Sequence, residues 1–190
     1  MKSKAIIFSA PSGAGKTTIV KYLLSKSELK FEFSVSATSR DPRVNEVHGK
    51  DYYFINVEDF KNKIENDEFL EWEEVYQGTY YGTLKSEVSR IAKNGNYPIF
   101  DVDVEGGITI KKYFGTQALG VFVMPPDLEA LENRLRQRST ETEESLKKRI
   151  EKAKEELKFS NQFDVIIIND KLSDALEQAE QLVKMFISQS

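Results

Sequence analysis

Residues 10–18 read Ala-Pro-Ser-Gly-Ala-Gly-Lys-Thr-Thr and directly follow an apolar run at residues 5–8. Glycines in such a segment let backbone N–H groups close around phosphate oxygens, while the lysine and threonine supply a cation and a magnesium ligand. We therefore predict a phosphate-binding loop between a first strand and a first helix. Ala10 stands where the usual pattern has its first glycine, and alanine fits this turn if its φ angle is negative.

Arginine is distributed unevenly along a chain that is much richer in lysine. Every arginine except Arg90 lies in one of two short regions, at residues 40–43 and 134–149. The planar guanidinium group makes bidentate contacts with phosphate, whereas lysine acts as a point charge. We interpret both regions as further anion contacts, with chance clustering as the alternative. Helical spacing directs Arg136 away from Arg134 and Arg138, so we assign Arg136 to the surface.

To act together, these side chains need a scaffold that brings several loops to one edge of a sheet. Continuous apolar runs, such as residues 165–168, indicate strands buried on both faces. We predict a three-layer α/β fold with a parallel sheet of roughly five strands between helices. Aromatic and β-branched residues dominate residues 30–83 and predict a small, mostly β insertion with a helix near 57–66. The other predicted strands are 4–9, 97–102, 119–124 and 164–168. The other predicted helices are 15–27, 84–94, 127–138, 143–159 and 171–188.

Composition limits the classes of function. The 190 residues suffice for one domain, and 39% hydrophobic with 31% charged residues is typical of a globular protein. The absence of cysteine excludes disulfides, and a single histidine, His48, argues against a zinc site. A net charge of −4 argues against a nucleic-acid partner. No apolar segment has the length of a membrane span or signal peptide, so we expect a cytoplasmic protein without membrane contact.

A second group of motifs begins at residue 34. Residues 34–54 read SVSATSRDPRVNEVHGKDYYF. This segment resembles the guanylate kinase signature T-[ST]-R-x-P-R, followed by E and then G-x-D-Y-x-F. Four further motifs follow in family order, so the resemblance covers essentially the whole chain; they are FLEW at 69–72, YYGT at 80–83, DVDVEG at 101–106 and ND at 169–170.

The resemblance implies a fold, a reaction and its cofactors. It implies a single phosphate-loop domain with its core at 1–33, 84–124 and 151–190. A GMP-binding lobe is then expected at 34–83 and a helical lid at 125–150. The implied reaction is the reversible phosphorylation of GMP, and of dGMP, by ATP with Mg²⁺. The implied protein is a monomer or a homodimer.

Guanine itself explains several residue types in the second group. Its N1–H and N2–H₂ groups are adjacent donors, which a carboxylate such as Glu71 accepts side by side. Asp103 is a candidate for the remaining amino proton, and the hydroxyls of Ser36 and Thr83 suit the acceptors O6 and N7. For the monophosphate, the resemblance implies contacts from Arg40, Arg43, Tyr52 and Tyr81.

The resemblance also implies the donor site. Lys16 is expected at the β- and γ-phosphates and Thr17 at Mg²⁺, with Asp101 holding the metal through water. Asn169 and Asp170 are expected at the adenine ring. The expected ATP contacts are Ser12, Gly13, Ala14, Gly15, Lys16, Thr17, Thr18, Arg134, Arg138, Asn169 and Asp170, and the expected catalytic groups are Lys16, Arg40, Arg43, Arg134, Arg138 and Arg149.

Two other functions remain open at this point. A kinase for another nucleoside monophosphate, such as dTMP, is disfavoured because Glu71 would face two acceptors on thymine. A non-catalytic interaction module with the guanylate kinase fold is the other alternative, although Lys16 and Thr17 favour an enzyme. Asn45 stands where the family often has glycine, and asparagine tolerates a positive φ angle.

Overall fold

The structure is a computed structural model that describes residues 4–138 and 143–189. Strands and helices alternate through most of this range, as the sequence predicts. In chain order the elements are β1 (Ala5–Ser9), α1 (Lys16–Leu24), β2 (Phe31–Phe33), β3 (Ala37–Thr38), β4 (Tyr53–Phe54), α2 (Val57–Glu65), β5 (Phe69–Tyr76), β6 (Thr79–Leu84), α3 (Lys85–Lys93), β7 (Tyr97–Val102), α4 (Val104–Phe114), β8 (Ala118–Met124), α5 (Leu128–Arg138), α6 (Glu143–Leu157), β9 (Val165–Ile168) and α7 (Leu172–Ser188).

Five parallel strands form the central sheet in the order β2-β7-β1-β8-β9. All five residues of β1 are buried, and alternate residues point to opposite faces. Ile6 and Phe8 pack with α1 and α7 on one face, whereas Ala5 and Ile7 pack with α4 on the other. The three-layer α/β fold with five parallel strands is therefore confirmed.

A smaller sheet of four strands, in the order β4-β3-β6-β5, lies within residues 37–84. Helix α2 covers one face of it, where the Phe60 ring stacks on Phe69 and Tyr80 with centroids 4.4 and 5.4 Å apart. The predicted β character of this stretch and its helix near 57–66 are confirmed.

A buried carboxylate on α3 ties the smaller sheet to the rest of the molecule. Glu87 accepts hydrogen bonds from the Val35 backbone N–H (3.1 Å) and the Tyr53 hydroxyl (2.8 Å). It also forms a 2.8 Å ion pair with Arg90, and its own side chain is 1% exposed. These contacts hold the pKa of Glu87 below its usual range despite burial. One side chain therefore fixes the segment between the two sheets.

Three elements of the central sheet and its helices, namely α4, β2 and α1, differ from the sequence prediction. Helix α4 was not predicted, because Gly106 and Gly107 have low helix propensity. The Asp103 side chain caps this helix, since its Oδ1 accepts from the Gly106 N–H at 2.8 Å. Strand β2 was also missed, because three residues are too few for a clear alternation. The predicted α1 extends too far, since the helix ends at Leu24.

Candidate active site

The predicted phosphate-binding loop joins β1 to α1 at the carboxyl edge of the central sheet. Gly13 and Gly15 adopt φ angles of 92° and 95°, which other residues rarely adopt. A Cβ on Gly15 would lie 2.3 Å from Asn169 Nδ2, so space as well as φ requires glycine. Among the described residues, only three non-glycine residues have a positive φ angle. Ala10 is not one of them, so its φ angle allows the turn as predicted. Asn45 is one of the three, with φ 110°.

Asn169 supports this loop from the end of β9. It is buried, and its Nδ2 donates to the Ala14 carbonyl oxygen at 2.7 Å. Its backbone carbonyl oxygen accepts from Arg134 Nη2 at 2.8 Å. The residue therefore links the loop, the end of β9 and helix α5. The structure thus shows a bracing contact for Asn169, which the sequence did not predict.

A cavity of about 420 Å³, here called the loop cavity, opens above the phosphate-binding loop. Lys16 forms a 2.9 Å ion pair with Asp101 and also donates to the Val102 carbonyl oxygen. Arg149 reaches across from α6, where its Nη2 donates to Ser12 Oγ at 2.9 Å. Further lining residues are Gly13, Gly15, Thr17, Asp103, Lys152 and Glu156. The predicted loop residues, Asp101 and Arg149 thus come together.

A second cavity of about 340 Å³, the hairpin cavity, lies beside the β5–β6 hairpin. Glu71 and Thr83 are directly opposite each other in the antiparallel pair, and Glu71 Oε1 accepts from Thr83 Oγ1 at 2.6 Å. Burial raises the pKa of Glu71 to about 7, although the Thr83 hydroxyl opposes this shift. Other residues that the sequence analysis assigned to the GMP or metal site also line this cavity: Ser36, Tyr52, Tyr81, Asp101 and Asp103.

Gly82 allows this hairpin to form. A Cβ at this position would lie 2.7 Å from the Glu71 carbonyl oxygen and 2.9 Å from Trp72 Cβ. Real Cβ atoms essentially never approach another atom this closely, and the first contact is with a backbone atom, which cannot rotate away as a flexible side chain could. The close approach of β5 and β6 at Gly82 therefore sets the position of Glu71 opposite Thr83.

Arg40 is held at the rim of the hairpin cavity. Its two terminal nitrogens bind the Glu46 carboxylate at 2.6 and 2.7 Å, and its Nε donates to the Tyr81 hydroxyl at 3.0 Å. The guanidinium group lies 5.0 Å from the Tyr52 ring centroid. Arg40 holds the pKa of Glu46 at about 2, and the Arg43 backbone N–H adds to this effect. The Arg43 side chain is exposed.

A third cavity, the Asn169 cavity, has a volume of about 320 Å³ on the far side of the loop. Thr18, Asp170 and Arg134 line it together with Asn169. Arg134 Nη1 is buried without a hydrogen-bond partner in the described part of the chain. An unpaired buried donor is costly, so this atom is suited to meet a ligand acceptor. The predicted contact from the Arg138 side chain lies outside the described residues.

Sequence reasoning missed four charged residues at these cavities. Glu46 belongs to the motif at 34–54, but its pairing with Arg40 needs the fold. Glu156 lines the loop cavity, and burial raises its pKa, while Lys152 opposes this shift. It lies seven residues after Arg149, two helical turns along the same face of α6, which is a signal that sequence periodicity contains. The other two are Glu73 and Lys152, which line the hairpin and loop cavities respectively.

Comparisons with known proteins agree with this geometry. A family model described as guanylate kinase matches residues 2–186. The guanylate kinase of Porphyromonas gingivalis is 48% identical over 98% of this chain and 99% of its own length. That of Bacteroides thetaiotaomicron is 50% identical, over 99% of this chain and 92% of its own.

A solved structure shows the same fold. The crystal structure of guanylate kinase from Anaplasma phagocytophilum superposes with a TM-score of 0.76 at 23% identity. It covers 99% of this chain and 88% of its own. In the described part of this chain, no helix is both long and apolar enough to cross a membrane. The family match, the relatives at about half identity and the arrangement of loop and hairpin lead to one conclusion: the chain belongs to the guanylate kinase family.

Proposed function

We propose that this chain transfers the γ-phosphoryl group of ATP to GMP, and also to dGMP. The observation that carries this proposal is that the loop and hairpin cavities share Asp101 and Asp103 as lining residues. Two ligands bound in adjoining cavities would meet at these carboxylates. The proposal therefore assigns the donor to the loop cavity and the acceptor to the hairpin cavity.

Glu71 supports recognition of guanine in the hairpin cavity. Its carboxylate has one oxygen engaged by Thr83 and is otherwise buried at the cavity wall. Guanine would offer N1–H and N2–H₂ to this carboxylate, and Asp103 would accept the second amino proton. Ser36 would serve the guanine acceptors, and Thr83 would join it only by giving up the hydroxyl proton that it donates to Glu71. Adenine has an acceptor at N1 and lacks the 2-amino group, so it would leave Glu71 unpaired.

The acceptor phosphate would bind at the rim of the hairpin cavity. Arg40 is already oriented there by Glu46 and Tyr81, so little rotamer entropy remains to be lost on binding. Tyr52 and Tyr81 pack edge to face with centroids 5.8 Å apart. The Tyr81 hydroxyl accepts a hydrogen bond from Arg40, and the Tyr52 ring faces the guanidinium group. We assign these three side chains and the exposed Arg43 to the monophosphate.

The donor would occupy the loop and Asn169 cavities. Lys16 and the loop amides, from Ser12 to Thr18, would bind the β- and γ-phosphates, and Arg149 would reach the transferred group from α6. The unpaired nitrogen of Arg134 supports a ligand in the Asn169 cavity, with Asp170 at the adenine. Arg138 is assigned to the same lid by the family resemblance alone.

Magnesium fits the donor set at the loop cavity. Mg²⁺ prefers oxygen ligands and usually binds through one or two carboxylates or hydroxyls, several waters and substrate phosphates. Thr17 and Asp101 supply such oxygens, and both line the cavity. In the described residues, no cluster of three or more acidic or histidine side chains is arranged to hold a metal by itself. When bound, Mg²⁺ would neutralise charge on the donor phosphates.

The chemistry requires positioning more than proton transfer. The nucleophile is a GMP phosphate oxygen that is already anionic, so no protein base is needed. A bond forms between this oxygen and the γ-phosphorus, and the bond from the γ-phosphorus to the β–γ bridging oxygen breaks. Lys16, Arg40 and the lid arginines would offset the repulsion between the two anions. We further propose that 34–83 and 125–150 act as the acceptor lobe and the lid.

An assay of ADP release across GMP, dGMP, AMP and dTMP tests this proposal. We expect turnover with GMP and dGMP and at least 100-fold lower kcat/KM with AMP and dTMP, because Glu71 discriminates. Preference for another monophosphate would contradict the acceptor assignment. If none of the four monophosphates supported ATP turnover and the protein still bound peptides, the result would favour the non-catalytic interaction module.

Replacing Lys16 tests the donor site separately from the acceptor site. We expect Lys16→Ala to lower kcat by at least 100-fold with GMP affinity changed less than threefold, because this cation is assigned to the transferred phosphate. Lys21→Ala, on an exposed face of the same helix, is the matched control and should behave as the unmodified protein. Loss of GMP binding in Lys16→Ala would show that Lys16 serves the acceptor instead.

A further inference from the structure

Gln137 is a polar side chain of the Asn169 cavity to which no role has been given so far. It lies on α5 three residues after Arg134, so the two side chains are neighbours on one face of the helix. Both line the Asn169 cavity, and Gln137 is exposed at its rim. In the described part of the chain, the Gln137 amide has no hydrogen-bond partner, so its donor and its acceptor are both available to a ligand.

Packing holds α5 against the phosphate-binding loop. A Cβ on Gly13 would lie 3.0 Å from Leu135 Cδ2 and 3.2 Å from Leu131 Cδ1, so the apolar side of the helix rests directly on the loop. Both leucines are buried. The distance from the loop to the face that carries Gln137 is therefore set by buried contacts and not by the amide itself.

The Asn169 amide is already committed to the loop. Its Nδ2 donates to the Ala14 carbonyl oxygen at 2.7 Å, and the backbone carbonyl oxygen of Asn169 accepts from Arg134 Nη2 at 2.8 Å. Beside the unpaired Nη1 of Arg134, two polar side chains outside the loop and α1 remain in this cavity for a base. They are Gln137 and Asp170.

The two remaining side chains differ in what they can bind. The Asp170 carboxylate only accepts hydrogen bonds, whereas the Gln137 amide both accepts and donates. Adenine presents its 6-amino donor next to the acceptor N7, and one primary amide can satisfy both in a bidentate contact. A 6-oxo purine presents two acceptors on the same edge, so the amide would pair with one and leave its own carbonyl oxygen facing the other.

We propose that Gln137 is a specificity-determining residue for the phosphoryl donor: its Oε1 accepts from the adenine 6-amino group and its Nε2 donates to N7. The inference rests on the proposed function, because it requires ATP in the Asn169 cavity. Leu172, which is 44% exposed and lines the same cavity, supplies an apolar contact for the purine ring. Since Gln137 belongs to the proposed lid, recognition of the donor base and closure would be carried by one segment.

Steady-state kinetics with ATP, 7-deaza-ATP and ITP as donors, and GMP as acceptor, test this contact. 7-Deaza-ATP lacks the N7 acceptor, and ITP has an oxygen in place of the 6-amino group. For the unmodified protein we expect a KM about tenfold higher for 7-deaza-ATP, and about 100-fold higher for ITP, than for ATP. In Gln137→Ala, the KM for ATP should rise about tenfold and become equal to that for 7-deaza-ATP. The kcat with ATP should stay within about threefold, because the contact is remote from the transferred group.

Two further variants keep the test decisive. Gln137→Glu keeps the acceptor but places a second oxygen opposite N7, so its KM for 7-deaza-ATP should be lower than its KM for ATP. Gln178→Ala makes the same truncation as Gln137→Ala on the exposed face of α7 and should match the unmodified protein.

The KM ratios distinguish recognition from a structural role. A purely structural role for Gln137 would raise the KM of all three donors equally in Gln137→Ala and leave their ratios unchanged, which would overturn the proposal. Equal KM values for ATP and 7-deaza-ATP in the unmodified protein would overturn it as well. Absence of ATP turnover with GMP in the unmodified protein would instead refute the proposed function.

Discussion

Glu71 lowers the stability of the empty protein. The folded state raises its pKa to about 7 from an ordinary value of 4.5, mainly by burial. A raised carboxyl pKa means that folding favours the protonated form, so its stabilising contribution is complete below about pH 4.5. The contribution is lost as the pH rises through about 7. At higher pH Glu71 is a buried carboxylate that no cation of the described residues pairs with, and a guanine ligand would relieve this condition.

Glu71→Gln should therefore stabilise the ligand-free protein and lower its affinity for GMP. At pH 8 we expect the free energy of unfolding to rise by about 2 kcal/mol, because a neutral amide avoids burying a charge. At pH 4 the gain should vanish. Urea unfolding at both pH values measures it, with Glu65→Gln as the control for an exposed position. A loss of stability at pH 8 would show that Thr83 and the cavity solvate the carboxylate well.

Gly15 offers a test of the bracing contact with Asn169. Gly15→Ala must accommodate a Cβ 2.3 Å from Asn169 Nδ2 and a φ angle of 95°. Gly95→Ala has a similar backbone penalty at φ 73° but no atom within 4 Å of the added carbon. We expect Gly95→Ala to cost about 1 kcal/mol and Gly15→Ala at least about 2 kcal/mol more, with weaker ATP binding. Equal costs in thermal and chemical unfolding would mean that Asn169 simply moves aside.

At the scale of elements, α3 joins the smaller sheet to the central one through Glu87. Glu87→Gln leaves one acceptor oxygen for donors from Val35, Tyr53 and Arg90. We expect a loss of about 3 kcal/mol in unfolding free energy, because a buried cation–carboxylate pair is broken from one side. Since the pKa of Glu87 is depressed, the stabilisation it provides should fade as the pH falls below about 5.

Chemical denaturation at pH 7 and pH 4 measures this loss. The difference between Glu87→Gln and the unmodified protein should be smaller at pH 4, because below the ordinary pKa of 4.5 the unfolded chain takes up a proton at Glu87 more readily than the folded protein does. The control is again Glu65→Gln, which should change neither value by more than about 0.5 kcal/mol. A pH-independent difference would assign the loss to packing instead of to the ion pair.

The sequence predicted elements well where burial dominates. Buried strands such as β1 and β8 are continuous apolar runs and were located to within one residue. Helix α4 was missed because its propensity is overridden by packing and by the Asp103 cap. The site divides in the same way. The phosphate-binding loop is local and was predictable. By contrast, the ion pair of Arg40 with Glu46, and the cavity that Glu73 and Asp103 line together, depend on a proximity that only the fold provides.

At the scale of the whole molecule, the loop and hairpin cavities both open to solvent. Water would compete with GMP as an acceptor, so we expect the acceptor lobe and the lid to close chiefly when both nucleotides bind. Solution X-ray scattering should show a decrease in the radius of gyration of about 1 Å with GMP and a non-hydrolysable ATP analogue together. Either ligand alone should produce less than half of this change.

Arg149 is a suitable position for the matched variant in this experiment. It contacts Ser12 from α6, so Arg149→Ala should retain the change caused by GMP alone and lose part of the change caused by both ligands. Full compaction without any nucleotide, or none with both, would contradict a closure that depends on the ligands.

The hairpin contact at Gly82 has a consequence in genetic terms. Every missense codon that differs from a glycine codon by one nucleotide encodes a residue with a Cβ, and here that atom would meet the backbone of the neighbouring strand. The position is therefore closed to any single mutational step, whereas Gly78 in the adjoining turn has no neighbour within 4 Å of such an atom. Substitutions in the turn can therefore accumulate one at a time, whereas any side chain opposite Trp72 would require the backbone of β5 to move away from β6.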